Sequence, residues 1–212
     1  MEGSGSMISA EEALQRLREG NQRYVEETRS NDTLTGRVRR RAVAESQEPF
    51  AVILGCSDSR VPAEIIFDQG LGDLFVIRVA GNIVAPSQIG SVEFATDRFG
   101  LRLVVVLGHS NCGAITATLE ELSRGSKEQS PHLRSIVDRI RPSVQAFIDT
   151  PIANDKEAHI RCAVRQNIRM SANHLRHGSD LLEQIIDKNG LIVVGAEYNL
   201  ETGVVEFFDG LP

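Results

Sequence analysis

Tryptophan is absent from the 212 residues, tyrosine occurs twice, and cysteine and methionine three times each. Three thiols in a chain this long do not make a disulfide framework, and with no signal peptide in view a reducing cytoplasm is the expected location. No apolar run approaches the roughly 20 residues that a bilayer-spanning helix needs, and no basic, Trp-rich amphipathic segment offers itself to a membrane surface. Membrane association is therefore not expected. Positive charge is also short. The 23 Lys and Arg stand against 29 Asp and Glu, a formal charge of -6, and clustering is confined to Arg37, Arg39, Arg40 and Arg41. That balance disfavours nucleic acid, and the cluster reads as a solvated helix face paired with acidic neighbours. No internal repeat is visible.

What is present is enough apolar material, 41% of the chain, to bury a substantial core. The Gly/Ser alternation of residues 1–6 has the character of a linker or tag, which leaves 7–212 as a single expected domain. Ser9-Ala-Glu-Glu12 is a capping box, and Ala13, Leu14, Leu17, Tyr24 and Val25 continue it as an amphipathic helix. A second helix is expected over Gly36–Glu45. Strands are expected at Phe50–Gly55, Asp73–Ala80, Leu101–Gly108, Leu191–Tyr198 and Val204–Phe208. Between and after them come a helical turn at Ala63–Phe67, helices at Ser87–Phe99 and from Gly113 to about Ser123, and a polar loop at Gly125–Ser130. Helical spacing then runs over Leu133–Ile148 and Asp155–His177, broken at Pro142 and Pro151, and over Ser179–Lys188. Strand and helix alternate through the middle of the chain, which argues for right-handed crossovers and a parallel sheet. The last two strands are joined too closely for a crossover and form an antiparallel hairpin.

One stretch organises the rest. Phe50-Ala-Val-Ile-Leu-Gly55 carries no charge and fits a strand covered on both faces, and Cys56-Ser-Asp58-Ser-Arg60 follows it at once. Extended backbone past Gly55 would send Cys56, Asp58 and Arg60 to one side. A second apolar strand, also ending in glycine, delivers His109 and Cys112 at the mouth of a helix. Two thiolates and an imidazole suit zinc, and a catalytic zinc site keeps three protein ligands and one open position. Cys56 and Cys112 as small buried hydrophobes, with His109 as a hydrogen-bonded loop residue, is the plainer alternative. The position of all three at the carboxyl ends of strands, where α/β sites lie, favours the metal. Cys162 falls inside a helix and is expected to be a core thiol. His132, His159, His174 and His177 are expected in surface or core roles.

Cys56-Ser-Asp58-Ser-Arg60 together with His109-Ser-Asn-Cys112-Gly113 resembles the β-class carbonic anhydrases, and the likeness runs from about Ser9 to Phe208. The resemblance implies a four-stranded parallel sheet extended by an antiparallel fifth strand and flanked by helices, with an N-terminal helical arm. It implies one zinc ion per chain on Cys56, His109 and Cys112, and a homodimer that often doubles to a homotetramer. The implied reaction is reversible hydration of carbon dioxide to bicarbonate and a proton by metal-bound hydroxide. Arg60 pairing with Asp58 keeps that carboxylate ionised and able only to accept, so it orients the hydroxide. By the same resemblance Gln47 enters the neighbouring subunit's site to donate to bicarbonate, and Phe75 and Phe94 line the apolar end of the substrate pocket. Gly81 and Gly113 let backbone approach the metal loop closely.

In some members the aspartate itself ligates zinc, favoured by bicarbonate in a separate pocket built on a tryptophan, an arginine and a tyrosine. Arg78 and Tyr198 match two of these, but Ile53 stands at the tryptophan position. Hydrolysis of carbon disulfide or carbonyl sulfide on the same zinc site is an alternative activity, and a non-catalytic bicarbonate-sensing zinc protein is another.

Overall fold

The computed structural model describes residues 8–28, 36–124, 130–148 and 150–212. The leader 1–6 and residues 125–129 of the expected polar loop lie outside the described residues. Strands β1 (Ala51–Gly55), β2 (Leu74–Arg78), β3 (Leu103–His109) and β4 (Ile192–Tyr198) are parallel, and β5 (Val205–Asp209) runs antiparallel to β4. The order across the sheet is β2-β1-β3-β4-β5. The helices are α1 (Ala10–Val25), α2 (Arg37–Ala42), α3 (Ala63–Ile66), α4 (Pro86–Arg98), α5 (Gly113–Arg124), α6 (Pro131–Val144), α7 (Lys156–His177) and α8 (Asp180–Asn189). The expected fold class is the one observed.

Both faces of the sheet are covered, which is why β1 and β3 lack polar alternation. Val52 and Leu54 point into a cluster with Ile115 of α5, Ile140 of α6 and Val164 and Ile168 of α7. Ala51 and Ile53 point the other way, against Leu14 and Leu17 of α1 and Phe67. All four β1 residues are fully buried. Each aliphatic side chain of that size contributes about 1.5–3 kcal/mol on burial. The carboxyl ends of β1 and β3 are thus carried on the best-packed part of the molecule.

Helix α1 begins on the expected capping box, with Ser9 N–H donating to Glu12 Oε2 (2.8 Å) and Glu12 N–H to Ser9 Oγ (3.1 Å). It runs on through Gly20 because it crosses the Phe67 carbonyl there, and a Cβ at residue 20 would sit 1.8 Å from that oxygen. The next residue, Asn21, is buried and donates to the carbonyls of Ile66 (3.2 Å) and Gly203 (2.9 Å) while accepting from Val205 N–H (2.8 Å). One carboxamide thereby ties the first helix to α3 and to the last hairpin.

Several expectations need correction. Helix α2 stops at Ala42 rather than Glu45, since it buries no residue and nothing tertiary prolongs it. In it Arg39 reaches Asp73 (2.6 Å) and the Leu71 carbonyl (2.8 Å), the acidic pairing expected of the Arg cluster. Pro142 does not break α6. It lies in the final turn, where the bond it forfeits is to the carbonyl of the exposed Asp138. Pro151 opens a 3-10 turn, and Asp155 caps α7 by accepting from Ala158 N–H (3.0 Å). Cys162 is half-buried rather than a core thiol, because α7 turns Ala163 and Val164 inward instead.

Candidate metal centre

Past Gly55 the backbone leaves the extended path. Asp58 Oδ1 accepts the Arg60 backbone N–H (3.0 Å), an Asx turn, and Val61 N–H returns to the Asp58 carbonyl (3.0 Å). The expected alternation is therefore replaced by a tight loop. Within it, Asp58 N–H donates to Cys56 Sγ (3.4 Å), and Arg60 donates Nε to Oδ1 (2.9 Å) and Nη2 to Oδ2 (2.7 Å) of Asp58. Arg78, at the end of β2, braces the loop from outside through the carbonyls of Cys56 (3.1 Å) and Asp58 (2.7 Å).

His109 is the last residue of β3 and fully buried. Its Nδ1 lies 2.9 Å from the Ser110 carbonyl, which only accepts, so the ring proton is on Nδ1. Nε2 is left bare and buried without a hydrogen-bond partner. Cys112 sits where α5 begins, also buried. A ligand atom from each of Cys56, His109 and Cys112 lies within 4.8 Å of the other two. This is the arrangement that a tetrahedral cation with one further position requires.

The electrostatics agree. A hydrogen bond from Cys112 holds the Cys56 thiol well below its usual value, aided by the adjacent His109 ring and then by the N–H groups of Asp58 and Gly81, while burial opposes. The same bond and burial push Cys112 up, and the N–H groups of Ile115 and Ala114 at the start of α5 pull it back. Two buried thiols this close oppose one another's ionisation, and a divalent cation between them lets both sulfurs ionise. The Arg60 guanidinium holds Asp58 well below the usual carboxylate range. Asp58 Oδ2 is 3.8 Å from His109 Nε2, and its carboxylate is turned to Arg60 rather than in among the ligand atoms.

Gly81 meets the expectation of close backbone approach. Its φ is +71°, its N–H donates to Cys56 Sγ (3.3 Å), and a Cβ there would lie 2.8 Å from Ile140 Cδ1. Gly113 does not, since a Cβ on it would meet nothing within 4 Å. Phe75, Phe94 and Phe99 form one aromatic group at the outer strand β2, with centroids 5.9–6.2 Å apart, and Phe94 is 55% exposed. Gln47 is exposed in the segment before β1. None of these four lines the open cleft of about 930 Å³ that runs from Arg60, Ser110 and Asn111 to Arg165 and Glu197. Arg78 is engaged as described, and the Tyr198 hydroxyl, buried, is 3.1 Å from that of Tyr24. The bracing by Arg78 and the Asx turn were not foreseen; Asp58 two residues before Arg60 is the signal that suits such a turn.

A doubly covered sheet with two thiols and a bare imidazole nitrogen gathered at adjacent strand ends defines a thiolate–imidazole metalloenzyme. The carbonic anhydrase family model matches residues 51–205. The chain is similar to carbonic anhydrase of Mycolicibacterium smegmatis, at 37% identity over 194 residues, covering 92% of this chain and 91% of that one. It is similar to carbonic anhydrase 2 of Mycobacterium tuberculosis, at 37% identity over 191 residues, covering 90% and 89%. Among solved structures, the β-carbonic anhydrase CcaA superposes with a TM-score of 0.71 at 27% identity, over 95% of this chain and 93% of that one. A tetrameric β-carbonic anhydrase from Sordaria macrospora gives 0.65 at 25% identity, over 79% and 84%. The chain belongs to the carbonic anhydrase family, in its β class. It is a carbonate dehydratase with zinc as its cofactor, and Cys56, His109 and Cys112 are the group that fits the metal. Among the described residues no helix is long and apolar enough to cross a membrane.

Proposed function

We propose that this chain interconverts carbon dioxide and bicarbonate on one zinc ion held by Cys56, His109 and Cys112. The observation that carries the reading is the convergence of three ligand atoms around a buried Nε2 that has no other partner. When bound, zinc supplies the Lewis acidity that makes a water nucleophilic near neutral pH. Everything else is the work of the chain. Asp58, held ionised by Arg60, has only acceptor capacity, so it fixes the hydrogen of the attacking oxygen and leaves a lone pair for carbon dioxide. Arg60 uses two guanidinium bonds and its backbone N–H to hold that carboxylate in one orientation.

The exposed Gln47 donates an amide hydrogen bond to bicarbonate in the site of a neighbouring subunit. Phe75 and the half-exposed Phe94 form the apolar end of the substrate pocket, and the bare surface at Gly113 leaves room at its mouth. The working unit is accordingly a homodimer or a homotetramer, in a reducing cytoplasm that keeps Cys56 and Cys112 out of disulfides and available to the metal. Stopped-flow hydration of carbon dioxide across pH, with zinc measured on the same sample, tests the whole reading. Turnover that scales with zinc content is expected. Undiminished turnover by zinc-free protein, or one zinc per chain with no hydration at any pH, would overturn it.

A further inference from the structure

Asn167 lies in the middle of α7, 2% exposed, and belongs to no expected site. Its Nδ2 donates to the Gly81 carbonyl at 2.8 Å, across 86 residues of sequence. The amide orientation is chemically fixed, because a carbonyl only accepts and the NH2 must face it. Ser143 of α6, also buried, stands 3.3 Å from Asn167 Oδ1 on the other side. Gly81 belongs to the 3-10 turn Ala80–Asn82, in which two successive residues are left-handed, Gly81 at φ +71° and Asn82 at φ +43°. Asparagine is among the few residues besides glycine that adopt this conformation, so the pair forms a tight local turn. The same peptide segment presents the Gly81 N–H to Cys56 Sγ at 3.3 Å. Helix α7 therefore reaches a metal-ligating sulfur through a single glycine.

We propose that Asn167 is a positioning residue for the metal centre. By holding the Gly81 carbonyl it aims the Gly81 N–H at Cys56, and so sets how much charge that sulfur gives the metal. The proposal rests on Cys56 being a zinc ligand, and it adds a partner two steps removed from the ligating sulfur. Groups beyond the ligands commonly change metal affinity on the order of 10-fold to 100-fold when removed. A stiffer residue at 81 would be strained at φ +71° and crowded by Ile140 and Ala114, so the turn's restraint comes at less cost from outside it.

The test compares wild type, N167A and L175A. Leu175 is a fully buried residue two turns further along α7 whose truncation disturbs packing without touching the turn. N167A is expected to release zinc to a chelator roughly tenfold faster than wild type. In the cobalt-substituted protein it should also shift the sulfur-to-cobalt charge-transfer band. L175A should lower unfolding stability yet keep both readouts at wild-type values. N167S, whose hydroxyl is too short to reach the Gly81 carbonyl, carries the same expectation where N167A does not fold. Wild-type release and band in N167A, or equal changes in L175A, would overturn the proposal. So would failure of both Asn167 variants to fold while L175A folds, because Asn167 would then serve the fold and not the metal. Wild type that takes up no zinc or cobalt at all would instead sink the zinc reading itself.

Discussion

Asp58→Asn is the sharpest perturbation of the site, because it preserves shape and reverses one atom's hydrogen-bonding sense. Three donors converge on the carboxylate: Arg60 Nε at 2.9 Å and Arg60 N–H at 3.0 Å on Oδ1, and Arg60 Nη2 at 2.7 Å on Oδ2. An amide oxygen in the Oδ1 position keeps the first two. The amide nitrogen then faces Nη2, donor against donor, so either Arg60 swings into solvent, where its side chain is already 54% exposed, or the amide turns. Turning the amide would set its NH2 against two donors, Arg60 Nε and N–H, so the unturned amide is favoured, and it places an NH2 at the oxygen position nearest His109 Nε2, where the mechanism needs an acceptor. Loss of a preorganised orienting hydrogen bond costs on the order of 10²–10³ in rate. The metal ligands are untouched, so zinc should remain at one per chain. Stopped-flow hydration, with metal analysis of the same preparation, should show kcat/KM down by at least about 100-fold at full zinc. Hydration within a few-fold of wild type by zinc-replete D58N would remove Asp58 from the mechanism.

Further outcomes follow from the same geometry. Arg60 and Arg165 hold Asp58 and Glu206 below their ordinary values. Stability from these pairs is therefore complete above the unfolded values of about 3.9 and 4.3 and is lost as pH falls through the lower folded ones. The double variant D58N/E206Q should show a flatter acid limb in chemical denaturation, and an unchanged limb would refute that assignment. Gly81→Ala combines a left-handed Cβ with displacement of Ile140, about 2–3 kcal/mol in urea unfolding, and should weaken zinc retention as well. Cys56→Ser should leave zinc well below one per chain by metal analysis. Mixing it with Gln47→Ala should restore part of the hydration that neither has alone, because one hybrid site receives an intact Gln47 from the other subunit. No recovery in verified hybrids would confine Gln47 to its own chain.

The layout of the molecule was largely legible in the order of residues, for physical reasons that vary along it. The charge-free runs of β1 and β3 announce strands buried on both faces, and the glycine at or just before the end of each marks where a ligand can sit. Ser9 and Glu12 give away the start of α1 because capping is local. Asn21, Arg78 and Asn167 gave no such sign. Each is polar, sits at no diagnostic spacing, and acts on backbone carbonyls brought near by tertiary packing, as far as 182 positions away in the case of Asn21 and Gly203. Local pattern cannot register a bond of that kind. Pro142 misled in the opposite sense, since a breaker near an exposed helix end removes one bond and little else. Extended alternation from Cys56 to Arg60 was the wrong route: the chain there is a turn that Asp58 makes with its own neighbour.

The Asn21 clasp has a consequence for how the chain is made. During synthesis the first helix emerges long before Gly203 and Val205, so its carboxamide must wait for partners that leave the ribosome 182 residues and more behind it. Until then the arm has an incomplete docking surface, and the hairpin, once out, finds a latch already in place. Changes near residue 205 should therefore be felt first at residue 21, and only afterwards at the metal.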